Sequence, residues 1–406
     1  MKKVRFGVVG MGNMGVPHAR SILGRSATVG GSDIQSAAGR SRPGDLYLGA
    51  VCDREADIAE RVGDELGVPH FTDAQEMYDS GLIDAVIIST PHYWHAPLAI
   101  RAARAGLHVL CEKPLASRVG PARAIIAECR KRKVALGVMF QHRTRAVMIK
   151  MKQMVESGRI GEVFRVSMIC STWYRTQFYY DSGAWRGTWD GEGGGVLINQ
   201  APHSLDLFQW IGGMPKKVTA VVNTRLHRIE VENTANVICE YEGEKTGYIY
   251  ATTAEAPGMD QLMVCGDKGT LVAEGGKLRL GKLKMPISKH LFASKELFDR
   301  VPCEWREVKL PKGYDTGHLG VIKAFARHVL RGAPLIATGA EAIGELEISN
   351  AVYISGYKRK SVDIPVDAGE IDRLIRKLER ERSTGRGKGE RAKADRELRK
   401  LVVNST

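Results

Sequence analysis

Short apolar runs alternate with amphipathic stretches through the first 143 residues. Val4–Val9, Leu46–Cys52, Ala85–Ser89, His108–Cys111 and Val134–Phe140 are mostly β-branched or Leu-rich, as buried strands are. Between them Arg54–Leu66, Pro97–Ala105 and Pro121–Arg132 have helical spacing. Strand and helix in alternation predict βαβ units and a parallel sheet. A Gly/Ser-rich segment, about 24–45, interrupts the first crossover and reads as a surface insertion.

From about Glu162 the rhythm changes. Glu162–Tyr174, Lys217–Leu226, Asn233–Tyr241, Thr246–Thr253, Gln261–Cys265 and Thr270–Glu274 are strand-like and follow one another across turn signals. Strands without intervening helices predict a large, mainly antiparallel open sheet. Asn199–Trp210 and His318–Leu330 have helical spacing and are expected to pack on one face of it. The predicted architecture is an α/β domain at 1–143, an α+β domain at 144–370 with a cleft between them, and a basic tail at 371–406.

A chain of 406 residues is long for one core. Its 43% hydrophobic and 26% charged residues are those of a globular protein. No stretch approaches the ~20 apolar residues of a membrane span. The apolar run after Lys2, Lys3 and Arg5 breaks at once into Gly10-Met11-Gly12, unlike a signal peptide. Seven scattered cysteines, none at CxxC spacing, suggest neither a disulfide framework nor a zinc site. A cytoplasmic location is expected. Residues 371–400 hold 12 Lys/Arg against 6 Asp/Glu, part of a net charge of +14. The alternating signs there suggest a solvated, partly disordered appendage. Without a zinc finger or RNP signature, the charge argues little for nucleic acid.

Gly10-Met11-Gly12-Asn13-Met14-Gly15 follows the first strand and opens a helix, the context a GxGxxG dinucleotide turn requires. Gly10 permits the tight turn, Gly12 lets backbone approach a pyrophosphate, and Gly15 lets helix and strand pack closely. Helix N-terminal amides then meet the phosphate charge. Asp53 ends the second strand, where a carboxylate accepts from ribose hydroxyls; as a helix N-cap it would have a purely structural use. Arg54 beside it could bind a 2′-phosphate. The reading is a Rossmann fold for NAD, with NADP left open.

Three further motifs follow in order: Thr90-Pro91-His92-Tyr93-Trp94-His95, then Cys111-Glu112-Lys113-Pro114, then the segment from Gly193-Gly194-Gly195 through Asn199 to His203 and Asp206. With the fingerprint, they resemble the Gfo/Idh/MocA family, the glucose–fructose oxidoreductase and inositol dehydrogenase group, over residues 4–366. The resemblance implies NAD(P)-dependent hydride transfer at a hydroxyl or ketone carbon of a sugar, cyclitol or related polyol. It places Asn13, Met14, Thr90, Pro91, His95, Glu112 and Lys113 at the cofactor. It also implies that Lys113 is catalytic and that its bond to Pro114 is cis.

Alcohol oxidation needs a base for the hydroxyl and a cation for the developing alkoxide. Lys113 suits the second task and His203 the first, with Asn199 four residues before it. Many similar proteins carry aspartate where this chain has Asn199, and an amide supplies no charge. Trp173-Tyr174-Arg175, Tyr179-Tyr180 and Trp185-Arg186 cluster before the glycine run; aromatic faces with guanidinium donors suit a sugar, or pack a sheet or interface. Arg143, Arg175, Arg186 and His318 are candidates for an anionic group on the substrate. Two other functions fit the same motifs: glycoside cleavage through transient oxidation, and non-catalytic dinucleotide sensing. An open sheet face predicts a homodimer or homotetramer.

Overall fold

A computed structural model describes residues 3–25, 28–29, 32–33, 44–383 and 389–403. Most of the predicted 24–45 insertion lies outside the described residues.

The first domain runs β1 (Val4–Val9), α1 (Gly15–Ile22), β2 (Leu46–Cys52), α2 (Ala56–Leu66), β3 (His70–Phe71), α3 (Ala74–Asp79), β4 (Ala85–Ile88), α4 (His95–Arg104), β5 (His108–Cys111), α5 (Val119–Arg132) and β6 (Leu136–Val138). These six strands pair in parallel in the order β3-β2-β1-β4-β5-β6, and two short strands, Thr28–Val29 and Ser32–Asp33, form a separate antiparallel pair. The order reverses between β1 and its neighbours, so the cleft for a ligand opens beyond the strands' carboxyl ends. Every residue of β4 is buried, which is why the run reads as continuously apolar. The expected strands and helices are present. The short β3 and α3 are additions: two residues are too few for a periodic signal, and Asp73 starts α3 by accepting from the amides of Gln75 and Glu76.

The second domain contains α6 (Ala146–Glu156), β7 (Val163–Cys170), α7 (Gln177–Asp181), α8 (Val196–Asn199), α9 (Pro202–Gly212), β8 (Lys217–Asn223), β9 (Thr234–Glu240), β10 (Thr246–Thr252), β11 (Asp260–Gly266), β12 (Gly269–Glu274), β13 (Lys277–Leu283), α10 (Ile287–Ala293), β14 (Cys303–Glu307), α11 (Gly317–Arg331), α12 (Gly339–Lys358) and β15 (Val362–Asp363). Its nine-stranded sheet has the order β14-β13-β12-β11-β7-β10-β9-β8-β15, antiparallel except for the central β7–β10 pair. Alternating buried and exposed positions along β8 put Val218, Ala220 and Val222 under the helices. The predicted helix Asn199–Trp210 is two helices, broken at Gln200-Ala201 because Pro202 starts α9 at its first turn.

Helix α12 went unpredicted for a physical reason. Fifteen of its 20 residues are buried, so it has no polar face and no period to detect. A capping box between Thr338 and Glu341 starts it, and it packs against β8, α9 and α5.

The basic tail is not a solvated appendage where it is described. Helix α13 (Ala368–Arg382) buries Ile371, Leu374, Ile375 and Leu378, and α14 (Glu390–Val403) lies against α4 and the turn at His92–Trp94. The buried Arg118 guanidinium pairs with Asp395 of α14 at 2.5 Å and Asp372 of α13 at 3.3 Å. Mixed charge here holds helices together as well as solvating them. All seven cysteines are free. Among the described residues no helix is long and apolar enough to cross a membrane, and no cluster of three or more His, Cys, Asp or Glu is arranged for a metal ion.

Candidate active site

The glycine turn is shaped by what a side chain would meet. Gly10 has φ +89°, and a Cβ there would lie 3.0 Å from the Ser89 carbonyl. At Gly15 a Cβ would fall 1.8 Å from the Gly10 carbonyl oxygen, so only glycine lets α1 start this close to β1. Gly12 differs: nothing lies within 4 Å of its Cβ position, and Gly12 and Asn13 are exposed, with Met14 half-buried. That open, amide-lined space at a helix N-terminus fits a pyrophosphate.

Asp53 ties into the turn directly. One carboxylate oxygen accepts from the Met11 amide at 2.7 Å, the other from the Glu55 amide at 3.1 Å. The N-cap of α2 is Glu55, so Asp53 is not that cap. Its remaining lone pairs can accept from hydroxyls such as those of a ribose. The Arg54 side chain is exposed and pairs with Glu55 at 3.2 Å.

Two loops close over this turn. The Ser89 hydroxyl donates to the Val9 and Gly10 carbonyls at 2.9 and 3.0 Å. Thr90 follows, its buried hydroxyl without a protein partner, and Pro91 leads into the turn at His92–Trp94. His95 does not reach toward a cofactor. It is fully buried, and its two ring nitrogens lie 2.8 Å from the Pro114 and Thr90 carbonyls. It staples one loop to the other. Glu112 is also engaged, 2.7 Å from His18 Nε2 and accepting from the Lys113 amide. Burial alone would raise its pKa, but the His18 bond and the neighbouring His18, His318 and Lys113 charges outweigh it and hold the carboxyl at about 2.

Lys113 stands at the end of β5, and its peptide bond to Pro114 is cis. The half-buried amine donates to the Asn199 main-chain carbonyl at 2.9 Å. Burial lowers its pKa, while Glu112, Glu345 and Glu192 pull it back up. His203 is buried, stacked on His142 at 4.1 Å, with its Nδ1 unpartnered. Burial first, then the charges of His142, Lys113, His318 and Arg145, keep His203 neutral. A neutral imidazole can accept a proton.

The Asn199 side chain does not turn toward His203, because the break before Pro202 interrupts the helix they were expected to share. Its amide donates to Glu192 and to the Tyr179 hydroxyl, the latter at 3.3 Å. Tyr179 is a hub. Its oxygen also accepts from Arg186 at 2.6 Å and Gln200 at 3.3 Å. The Arg175 guanidinium lies over Trp173 and Tyr179, and that of Arg186 over Tyr179 and Trp185. Trp173, Arg175, Trp185 and Arg186 therefore form one wall of stacked aromatic and cationic groups.

Arg143 is elsewhere. Its guanidinium is 1% exposed, bound to both oxygens of Asp206 at 2.8 and 2.6 Å and to the Ile336 carbonyl at 3.2 Å. It has nothing left for a substrate. The expected anion role is corrected to a buried brace between the turn at Gln141–Thr144 and α9. His318 sits 5.3 Å from His18, and burial first, then the His18 charge, drive its pKa down to about 4. It faces the cofactor side and carries no charge for an anion at neutral pH.

Three buried groups emerged only in three dimensions. Glu192 lies within Asp190-Gly191-Glu192-Gly193, and its acidic letter was the only signal. Glu232 accepts from the Gly195 and Leu197 amides, each at 3.0 Å, and from the Tyr353 hydroxyl at 2.9 Å, fastening the glycine run. Glu345 is fully buried on α12 with both oxygens unpartnered, and burial raises its pKa well above the ordinary value, favouring the uncharged form.

A glycine-rich dinucleotide turn after β1, with a half-buried lysine after β5 of the same sheet, defines a nicotinamide-dependent oxidoreductase. The comparisons agree. Residues 4–140 match the oxidoreductase family with an NAD-binding Rossmann fold, and residues 148–272 match the GFO/IDH/MocA C-terminal domain. The chain belongs to the Gfo/Idh/MocA family. It is 26% identical to an inositol 2-dehydrogenase of Rhizobium meliloti, over 89% of this chain and 99% of the relative. A D-apiose dehydrogenase of Rhizobium rhizogenes is 25% identical over 78% of this chain and 90% of its own length. Among solved structures, the WlbA dehydrogenase of Bordetella pertussis, in complex with NADH and UDP-GlcNAcA, superposes with a TM-score of 0.72 at 26% identity, covering 90% of this chain and 100% of that one.

Proposed function

We propose that this protein oxidises a secondary hydroxyl of a sugar, cyclitol or related polyol, or reduces the matching ketone, with NAD as partner. The observation that carries the reading is the Lys113 amine, held at 2.9 Å by the Asn199 carbonyl between the glycine turn and the aromatic–guanidinium wall. NAD, when bound along Gly10–Gly15 and Asp53, supplies the acceptor for the electron pair of the breaking C–H bond. The hydroxyl proton passes to the neutral His203 imidazole as the carbonyl forms. Lys113 lies where it can stabilise the developing alkoxide. Trp173, Arg175, Trp185 and Arg186 offer flat faces and N–H donors to a polyhydroxylated ring.

Asp53 beside an exposed, paired Arg54 favours NAD over NADP. Nucleotide sensing without turnover would leave this ordered constellation without a use. Val221 and Ile238, 44% and 52% exposed on the open sheet face, favour a homodimer or homotetramer, which light scattering tests. The free cysteines fit the cytoplasm. The deciding experiment screens sugars and polyols with NAD and NADP while following nicotinamide absorbance. Turnover with at least one polyol is expected; none with any, by a protein that binds NADH, overturns the reading.

A further inference from the structure

The cleft holds one carboxylate whose work neither the family match nor the reaction assigns. Glu192 is 1% exposed in the loop between Trp185 and the glycine run. One oxygen accepts from the Gly187 amide at 2.6 Å, and the other accepts from the side-chain amide of Asn199, whose own carbonyl holds Lys113. Its main-chain carbonyl lies 3.1 Å from His92 Nδ1, so the residue also touches the loop on the cofactor side.

Lys113 is half-buried and partly desolvated, and an ammonium in that position is stabilised by a counter-charge. Three carboxyls act on it: Glu112, Glu345 and Glu192. Glu112 is committed to His18 and to a main-chain amide. Burial favours the uncharged form of Glu345. Asn199 carries no charge. Glu192 alone is both ionisable near neutrality and linked through Asn199 to the amine.

We propose that Glu192 is the positioning residue of this site, orienting the Asn199 amide and adding, beside the Glu112 carboxylate, a second negative charge that favours the ammonium form of Lys113. Asn199 and Glu192 together then do what one aspartate at position 199 could do alone. The charged or titratable groups facing Glu192 are Lys113, Arg186 and Tyr180, with His92 on its main-chain carbonyl and with Asn199 and the Gly187 amide as its side-chain hydrogen-bond donors. Burial raises its pKa to about 7, against the pull of Gly187, Asn199, Arg186 and Lys113, so its charge changes near neutral pH.

The proposal rests on the catalytic reading of Lys113 but is tested without turnover. Full-length protein is labelled with an amine-acylating reagent across pH, and modification of Lys113 is followed by peptide mass spectrometry. Glu192→Gln is nearly isosteric, and Asn199 can flip its amide to meet the new one. It should lower the Lys113 pKa and raise neutral-pH labelling about tenfold, the factor one pKa unit carries. Asn199→Asp, which adds a second carboxylate, should shift labelling the opposite way. The double variant should return to near the wild-type curve. Unchanged Lys113 labelling in both single variants, each with native circular dichroism, would overturn the proposal. A wild type that turns over no polyol yet shows these shifts would overturn the sugar reading and leave Glu192's role standing.

Discussion

The two halves of the cleft are built on different principles. The cofactor half is main chain: Gly10, Gly12 and Gly15 are defined by the side chains they lack, and Asp53 meets an amide. The substrate half is side chain upon side chain, with Tyr179 from α7, Arg186 and Glu192 from the loop that follows it, and Asn199 from α8. Backbone recognition tolerates little change and depends on few residues. A side-chain network spreads its effect and can be retuned one residue at a time.

Several measurements would break or sharpen that contrast. Lys113 joins the halves, so Lys113→Ala should lower turnover by about 10²- to 10⁴-fold with NADH affinity little changed, read by fluorescence titration and absorbance. Unchanged turnover would remove lysine from the mechanism.

Arg143→Ala should cost about 3–5 kcal/mol of stability, because it leaves the buried Asp206 carboxyl without its cationic partner. Urea unfolding measures this, and a raised KM at unchanged stability would restore the substrate role rejected above.

Acid–base linkage gives a third test. Glu192 and Glu232 rise from an ordinary 4.5 to about 7, mainly through burial, so the folded protein retains protons that the unfolded chain has released. Stability should therefore fall as pH rises through that window. Glu232→Gln should flatten the slope, by roughly 3 kcal/mol at most. A urea midpoint constant across the window would contradict the burial assigned to both carboxyls.

Gly12→Ala separates recognition from folding. With nothing within 4 Å of the new methyl, the melting temperature should hold while NADH affinity drops about tenfold or more, ~1.4 kcal/mol. Equal affinity would mean the pyrophosphate lies elsewhere. Tyr179→Phe should act least, removing an acceptor from three donors and raising substrate KM a few-fold, ~1 kcal/mol. A loss as large as that of Lys113→Ala would make Tyr179 catalytic.

The parallel sheet was legible because β1, β2, β4 and β5 are covered on both faces and so appear as apolar runs. The glycine turn was legible because its steric demands are local, within six residues. Helix α12 was not, since burial all round erases periodicity, and Pro202 divided a helix whose spacing looked continuous. Arg143 looked like a free cation and proved to be committed, because its partner Asp206 lies 63 residues away. His95 sat in the right motif, but its ring faces two carbonyls. The tail looked like loose charge until Arg118 supplied its partners.

What the sequence determined by itself is the order of strands and helices in the first domain, the dinucleotide turn, and the lysine and histidine motifs of the site. Those follow from local rules: what a glycine permits, what a run of apolar residues must bury, where a proline stops a helix. Which side chains face one another was decided only by tertiary structure. Whether a polar group is free, paired or neutral depends on neighbours distant in the chain and on the water that packing excludes. Glu192 shows this best: in the chain it is one acidic residue among glycines, and in the fold it is the carboxylate behind Asn199.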